Sequence, residues 1–372
     1  MKILHVLTDK NIGGAGRLAL NFAAWFIYNR RDYDTLDVVL PYGSALKPEF
    51  ERLNVAVTEA EHLEKSFDRA AVRGLLEIFK SKGPHIIHTH AALSARVAAR
   101  RYKMAKIIYT RHSYYDQHTP LPRRIVNRFI NDRYADAIIA VSPAVVENLK
   151  RLGAPMHKVN VIFNGCLYAT VYDLDERAEI RKSLGINKEH FVVSIIARLV
   201  RDKDHDTVLS AAKILCDIDK GIRVLIAGEG EEEQRLKERA RLEDIHNVQF
   251  IGFVKDIERI ENITDVMINA SVGTEATSIA LLEGLSLGIP AVASDFGGNP
   301  YVVMDGVNGL LFEKGRSIEL ANAIIHLKNN RGVYERMSFE AMEVFETRFK
   351  IDVMCRNIFS LYENLLKRDS IK

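Results

Sequence analysis

Two glutamates, Glu275 and Glu283, stand eight positions apart in the segment EATSIALLE. Glu283 falls inside an apolar helical pattern, LLEGLSLG, where a carboxylate is costly unless donors reach it. Ribose hydroxyls are donors of that kind. Glu275 falls in the loop ahead of the same helix. The helix's first amides, at Thr277, Ser278 and Ile279, would point outward, where a phosphate is welcome. A helix-edge glutamate with a surface neighbour accounts for the same residues without a ligand. Upstream, Arg198 and Lys203 in ARLVRDK follow a strand-like run and could neutralise a diphosphate. The run RDKDHD also reads as a solvated loop.

Glycines follow several strand-like runs. Gly13-Gly14-Ala15-Gly16 lies after the first of them, where glycine lets backbone amides approach a ligand or simply permits a tight turn. The spacing is not GxGxxG, and Pro41 stands where a dinucleotide site would need an acid. Gly228-Glu229-Gly230 opens a Glu-rich helix whose acids could serve the helix dipole alone. Gly297-Gly298 reads as a turn or as a backbone-lined surface.

The histidines divide by position. His88 and His90 share one strand face and His85 takes the other. A metal pair is conceivable, but no third ligand with motif spacing completes a site. His88 reads as a packed core residue, and His90 sits at the strand end. His112 follows the next strand in TRHS and is better placed for chemistry, while His118 lies in a polar loop. Asp217-Ile218-Asp219 is a literal DxD, a metal signal in some enzymes. Here it closes a helix before Lys220-Gly221 and reads as a loop.

The elements that would position these residues alternate between short apolar runs and amphipathic stretches, which predicts parallel sheets covered by helices. Strands are expected at 2–7, 36–40, 85–89, 107–110, 137–141 and 159–162, with helices at 17–30 and 68–82. Ser142 is expected to cap a helix that has Pro143 at its first position. The pattern restarts after 165–190 with strands at 191–197, 222–227, 248–250, 265–269, 290–293 and 309–312. Two βα domains are therefore expected, 1–168 and 169–349, with ligands at the C-terminal strand ends in the cleft between them.

The chain has 372 residues, 47% hydrophobic and 27% charged, enough for two cores and a polar surface. Its net charge of +3 argues against a nucleic-acid binder. Three cysteines without a CxxC imply a reducing compartment and no structural zinc. The start lacks a signal-peptide pattern and no 18-residue apolar run occurs, so a cytoplasmic protein is expected. Charge is uneven: Arg96 to Arg133 carries a net +8 and the remainder −5. Within that region PLPRRIVNRFINDR forms a basic amphipathic helix with Arg123, Arg124 and Arg128. It suits an anionic membrane surface, or simply a solvated face.

Taken together, these segments resemble glycosyltransferase family 4, a retaining family of the GT-B fold. The strongest part is EATSIALLEGLSLGIPAVASDFGGNPYVVMDGVNGLLF, supported by ARLVRDK, AGEGEEEQRL, VQFIGFV and HTHAALSA. The resemblance implies two Rossmann-like domains, with residues 350–372 crossing back to the first. It implies a nucleotide-sugar donor, of the UDP class by family frequency, and a saccharide or lipid-linked acceptor of a cell-surface polysaccharide or lipopolysaccharide. It gives Arg198 and Lys203 the diphosphate and Glu283 the ribose. Glu275, with nearby amides, takes the transferred sugar. Backbone at Ile251, Phe253 and Val254 takes the base, and Gly14, Gly16 and Gly228 line the donor. His112 would bond the donor sugar, with His90 on the acceptor side. No metal or other cofactor is implied. The chain departs from the family at Gly16, at Ala276-Thr277-Ser278 and at Cys166-Leu167. A nucleotide-sugar epimerase, a dinucleotide-dependent oxidoreductase and a non-catalytic scaffold are the rival readings.

Overall fold

The computed structural model describes residues 1–11, 13–114 and 119–367. It divides into two compact units. Unit 1 comprises Met1–Cys166 with the segment from Ile351 onward, and unit 2 is Leu167–Lys350.

Unit 1 holds a seven-stranded sheet in the order β3-β2-β1-β4-β5-β6-β7. The strands are β1 (Lys2–Val6), β2 (Thr35–Pro41), β3 (Ala56–Ala60), β4 (Ile86–His90), β5 (Lys106–Arg111), β6 (Ala137–Ala140) and β7 (Val159–Val161). Every pairing is parallel. Helices cover both faces of such a sheet, so β4 and β6 are buried along their whole length. The edge strand β3 escapes the sequence pattern because AVTEA is short and only half-buried.

Helix boundaries follow local chemistry. The Asp68 side chain accepts the amides of Ala70 and Ala71 and starts helix Arg69–Lys82. Gly83, in the left-handed conformation, ends it. Ser142 does precede a helix with Pro143 in its first turn, but its hydroxyl makes no capping bond. Its Oγ is buried without a partner among the described residues, so position and rigid proline start that helix instead.

The C-terminal helix, Ile351–Lys367, belongs to unit 1 and packs on helix Gly14–Asn29. Trp25 Nε1 donates to Asp352 at 3.0 Å, and Tyr362 is wholly buried.

Unit 2 repeats the plan with six parallel strands in the order β10-β9-β8-β11-β12-β13. They are β8 (Phe191–Ile196), β9 (Ile222–Ala227), β10 (Val248–Gly252), β11 (Val266–Asn269), β12 (Ala291–Ser294) and β13 (Gly309–Phe312). In both sheets the chain order reverses beside the first strand, between β1 and β4 and between β8 and β11. Loops leaving those strand ends diverge and open a crevice within each unit. The helices Ser317–Asn329 and Arg331–Val344, not singled out in the sequence, complete the cover. No helix among the described residues is long and apolar enough to cross a membrane.

Candidate functional site

In unit 2 the loops after β8 and β11 meet at Asp202. Its carbonyl accepts the amides of Val272 and Gly273 at 2.9 and 3.3 Å. Its Oδ2 accepts the Thr274 hydroxyl at 3.0 Å. A Cβ on Gly273 would lie 2.2 Å from Asp202 Oδ1, so glycine lets the Asp202 carboxylate keep its bond to Thr274. The joint brings Lys203 Nζ to Glu275 Oε2 at 2.7 Å, with Ser271 Oγ at 3.2 Å. Glu275 is only 6% exposed, and the same Oε2 accepts Asn269 Nδ2 at 2.9 Å and Ser271 Oγ at 3.0 Å. All three donors converge on one oxygen. Oε1 accepts no hydrogen bond among the described residues, which leaves it for a ligand hydroxyl.

The glycines downstream have a packing role. Gly298 N donates to the Glu275 carbonyl at 2.9 Å. A Cβ on Gly298 would lie 2.0 Å from the Ala276 carbonyl, and one on Gly297 (φ 59°) 2.4 Å from that of Glu275. The pair forms the surface on which the Glu275 loop lies. Next along the chain, Ser278 Oγ accepts Leu281 N at 3.4 Å and caps helix Ile279–Ser286. The preceding amides then have no acceptor within the helix. Glu283 is half-buried on that helix.

Arg198 is exposed and its side chain has no partner among the described residues. The backbone on either side of it is held firmly. Ala197 N donates to Ala227 O at 3.0 Å, and Leu199 N to Glu229 O at 3.0 Å. Gly228 (φ 142°) permits this approach, since a Cβ there would lie 2.0 Å from the Ala197 carbonyl. The Gly228 N–H is committed to the Gly252 carbonyl at 2.8 Å. Ile251 and Val254 pack against Ile180 and Ile260, and with exposed Phe253 they line a cavity of about 350 Å³. The literal DxD is structural. Asp219 pairs with Lys328 and accepts Gly221 N at 2.8 Å.

Unit 1 carries a histidine cluster at its own switch point. The Tyr362 hydroxyl lies between His5 Nε2 at 3.0 Å and His88 Nδ1 at 2.5 Å. His88 Nε2 meets Thr110 Oγ1 at 2.6 Å, and His90 Nδ1 meets His112 Nε2 at 2.8 Å. The rings of His90 and His112 are stacked 5.1 Å apart. Each contact needs one donor and one acceptor, which neutral imidazoles provide. Burial lowers the pKa of His5 to about 3 and that of His112 to about 4, helped at His112 by Arg111. Burial also lowers those of His88 and His90. His90 Nε2 and His112 Nδ1 are buried without partners among the described residues.

His5, His88 and His90 offer nitrogens within 4.8 Å of one another. The third ligand lacks motif spacing because His5 comes from β1, far from β4 along the chain. His5 Nε2 and both nitrogens of His88 are already engaged by Tyr362 and Thr110.

Gly14 has open space beside it, whereas a Cβ on Gly16 would lie 2.8 Å from Leu46 Cδ1. Gly16 also gives its amide to Asp9. Arg123, Arg124 and Arg128 lie on helix Leu121–Tyr134, which has no buried residue. His118 lies outside the described residues.

Two parallel, doubly wound units with strand-end sites define the GT-B class of two-domain glycosyltransferases. The crystal structure of Anabaena HepE in complex with UDP matches with a TM-score of 0.85 at 21% identity, covering 98% of this chain and 100% of that one. Residues 12–166 match the model of Glycosyltransferase Family 4, and residues 176–344 that of Glycosyl transferases group 1. The chain belongs to glycosyltransferase family 4 and is a glycosyltransferase. N-acetyl-alpha-D-glucosaminyl L-malate synthase of Bacillus anthracis is 23% identical over 82% of this chain and 81% of its own length. UDP-Gal:alpha-D-GlcNAc-diphosphoundecaprenol alpha-1,3-galactosyltransferase of Escherichia coli is 24% identical over 80% of each.

Proposed function

We propose that this glycosyltransferase moves a sugar from a UDP-sugar to a hydroxyl of a saccharide or lipid-linked acceptor, with retention at the anomeric carbon, in building a cell-surface polysaccharide or lipopolysaccharide. The observation that carries this reading is the Lys203–Glu275 pair. It sets a cation and an open carboxylate oxygen in the loop that leads into the N-terminus of helix Ile279–Ser286. Arg198 and Lys203 take the diphosphate, and the amides at that terminus add positive potential. Glu275 Oε1 accepts a hydroxyl of the transferred sugar, Glu283 accepts the ribose hydroxyls, and the backbone at 251–254 meets the base. His112, kept neutral by burial, bonds the donor sugar through Nδ1. The UDP and UDP-glucose complexes of HepE support the donor class, and the diphosphoundecaprenol substrate of the E. coli relative supports the acceptor class.

In the reaction the acceptor oxygen bonds to the anomeric carbon on the face that the diphosphate leaves. The breaking bond's electron pair goes to the diphosphate oxygen. The acceptor's proton passes to the leaving diphosphate, so no protein nucleophile is needed. The fixed cations and amides stabilise the charge where it develops, and no metal or other cofactor enters this scheme.

Helix Leu121–Tyr134 would hold the enzyme against the cytoplasmic face of an anionic membrane. Leu121, Ile125, Val126 and Phe129 are all more than half exposed and share the helix with the three arginines. A thermal-shift panel of nucleotide sugars, followed by product anomer assignment by NMR, tests the reading. A UDP-sugar should raise the melting temperature, because ligand binds the folded state. Inversion at the anomeric carbon, or no response to any nucleotide sugar, would overturn it. In parallel, co-sedimentation with phosphatidylglycerol vesicles should fall when Arg123, Arg124 and Arg128 become Gln. Unchanged binding removes the membrane role.

A further inference from the structure

Unit 1 contains a second cavity, of about 480 Å³, walled by helices Leu93–Tyr102 and Leu121–Tyr134 and by the end of β5. Arg96 stands in its wall and is 6% exposed. A guanidinium withdrawn from water ordinarily meets a carboxylate. Among the described residues Arg96 meets none. Its guanidinium carbon lies 4.3 Å from the Tyr109 ring centroid, one Nη donates to Asn131 Oδ1 at 2.8 Å, and Nε is buried without an acceptor. Arg111, Arg123 and Lys65 line the same cavity. Glu64, the carboxylate in the wall, is ion-paired with Lys10 at 2.7 Å. Burial first, and Arg111 to a smaller degree, work against the Arg96 cation. The cavity thus collects positive charge around a buried Nε–H with no acceptor among the described residues, and its volume suits a small-molecule site.

We infer that this cavity binds a phosphate or diphosphate ester, with Arg96 as its anchor and Arg123 and Lys65 at its rim. The inference rests on the proposed function and deepens it, because the ester is the acceptor's own anionic group. The helix Leu121–Tyr134 fits an amphiphilic ester. Arg123, Asn127 and Asn131 face the cavity at helical spacing. Ile125 and Phe129 on another face are exposed, so an ester's lipid portion could lie along them while its phosphate reaches Arg96. The planar guanidinium would grip two phosphate oxygens at once, a geometry that lysine lacks.

Calorimetry on the full chain, with UDP at saturation, tests this using geranyl diphosphate, inorganic pyrophosphate and glycerol 3-phosphate as probes. Geranyl diphosphate is expected to bind the wild type and to weaken about tenfold or more in Arg96→Gln, the loss of one charged hydrogen bond. Arg96→Lys should recover little, and the exposed Arg123→Gln, which cannot disturb the core, should weaken binding by a smaller factor. Pyrophosphate binding as tightly as geranyl diphosphate assigns the site to the anion alone. Tighter glycerol 3-phosphate assigns it to a phospholipid headgroup. Both outcomes uphold the inference. Wild-type affinity for all three probes in Arg96→Gln and in Arg123→Gln overturns it. A chain that binds these anions through Arg96 yet ignores UDP would sink the donor reading and leave this cavity standing.

Discussion

The two sheets share a strand order, and their switch points have been equipped in opposite ways. At β1 and β4 stand His5 and His88, neutral rings joined by the Tyr362 hydroxyl with Thr110 beyond, and His90, which bonds His112. After β8 and β11 stand Lys203 and Glu275, a full charge pair backed by Asn269 and Ser271. The fold supplies the position and the side chains supply the chemistry. A neutral cluster can be withdrawn from water at small cost, because its rings carry no charge, and here it leaves only His90 Nε2 and His112 Nδ1 without partners among the described residues. A charged pair has to be over-supplied with hydrogen bonds, and it keeps one carboxylate oxygen outside them. The second arrangement fixes a cation beside a carboxylate, and the first fixes the tautomers of neutral rings through paired donors and acceptors.

The largest effect should come from breaking the charge pair. Lys203→Met leaves Glu275 buried and uncompensated, which typically costs about 3–5 kcal/mol. Urea denaturation should show a lower midpoint, with turnover abolished. Adding Glu275→Gln should recover much of the stability and none of the turnover. Full stability in Lys203→Met would mean that the pair is not what holds the two loops together.

A smaller effect separates the neutral cluster from the charged one. An unfolded histidine titrates near 6.5, whereas burial holds folded His112 to about 4 and folded His5 to about 3. Below pH 6.5 the unfolded chain therefore binds more protons than the folded one, and stability falls as pH falls towards 4. Unit 2 has one comparable buried histidine, His205, lowered to about 4 chiefly by burial. Hydrogen exchange at decreasing pH should expose the amides of β1 and β4 before those of β8 and β11. The reverse order, or a melting temperature flat from pH 6.5 to 5, contradicts the contrast.

How far this arrangement could be read from the chain alone depends on distance along it. Local features were legible. Periodicity gave the strand at 222–227 to the residue, and Arg198, Lys203 and Glu275 drew notice because each follows an apolar run. Contacts between distant segments were not. Nothing in RDKDHD says that Asp202 will receive the amides of Val272 and Gly273, or that Lys203 will spend its charge on Glu275. His5 joins the cluster only because β4 lies beside β1 in parallel register, a pairing that no local pattern announces. The glycines carry a second meaning that the chain alone does not reveal: at Gly16 and Gly228 the absence of a Cβ also serves close packing, against Leu46 and the Ala197 carbonyl respectively. Arg96 was one positive charge among ten in its region, and only its burial beside Tyr109 sets it apart.

The smallest change in stability should accompany the sharpest functional result. Arg198 is exposed and touches no other side chain among the described residues, so Arg198→Ala should move stability by no more than about 0.5 kcal/mol. The backbone bonds of Ala197 and Leu199 do not involve its side chain and should hold the loop in place. If the guanidinium meets the leaving diphosphate, it acts mainly in the transition state, and turnover should fall about 10²–10³-fold. The loss should appear in kcat more than in KM, because ground-state binding retains Lys203 and the helix amides. Arg198→Lys should restore part of the rate, since a point charge returns without the planar fork. An equal rise in KM with kcat intact would make Arg198 a binding residue only. Lys203 would then be left as the sole side-chain cation assigned to the departing charge.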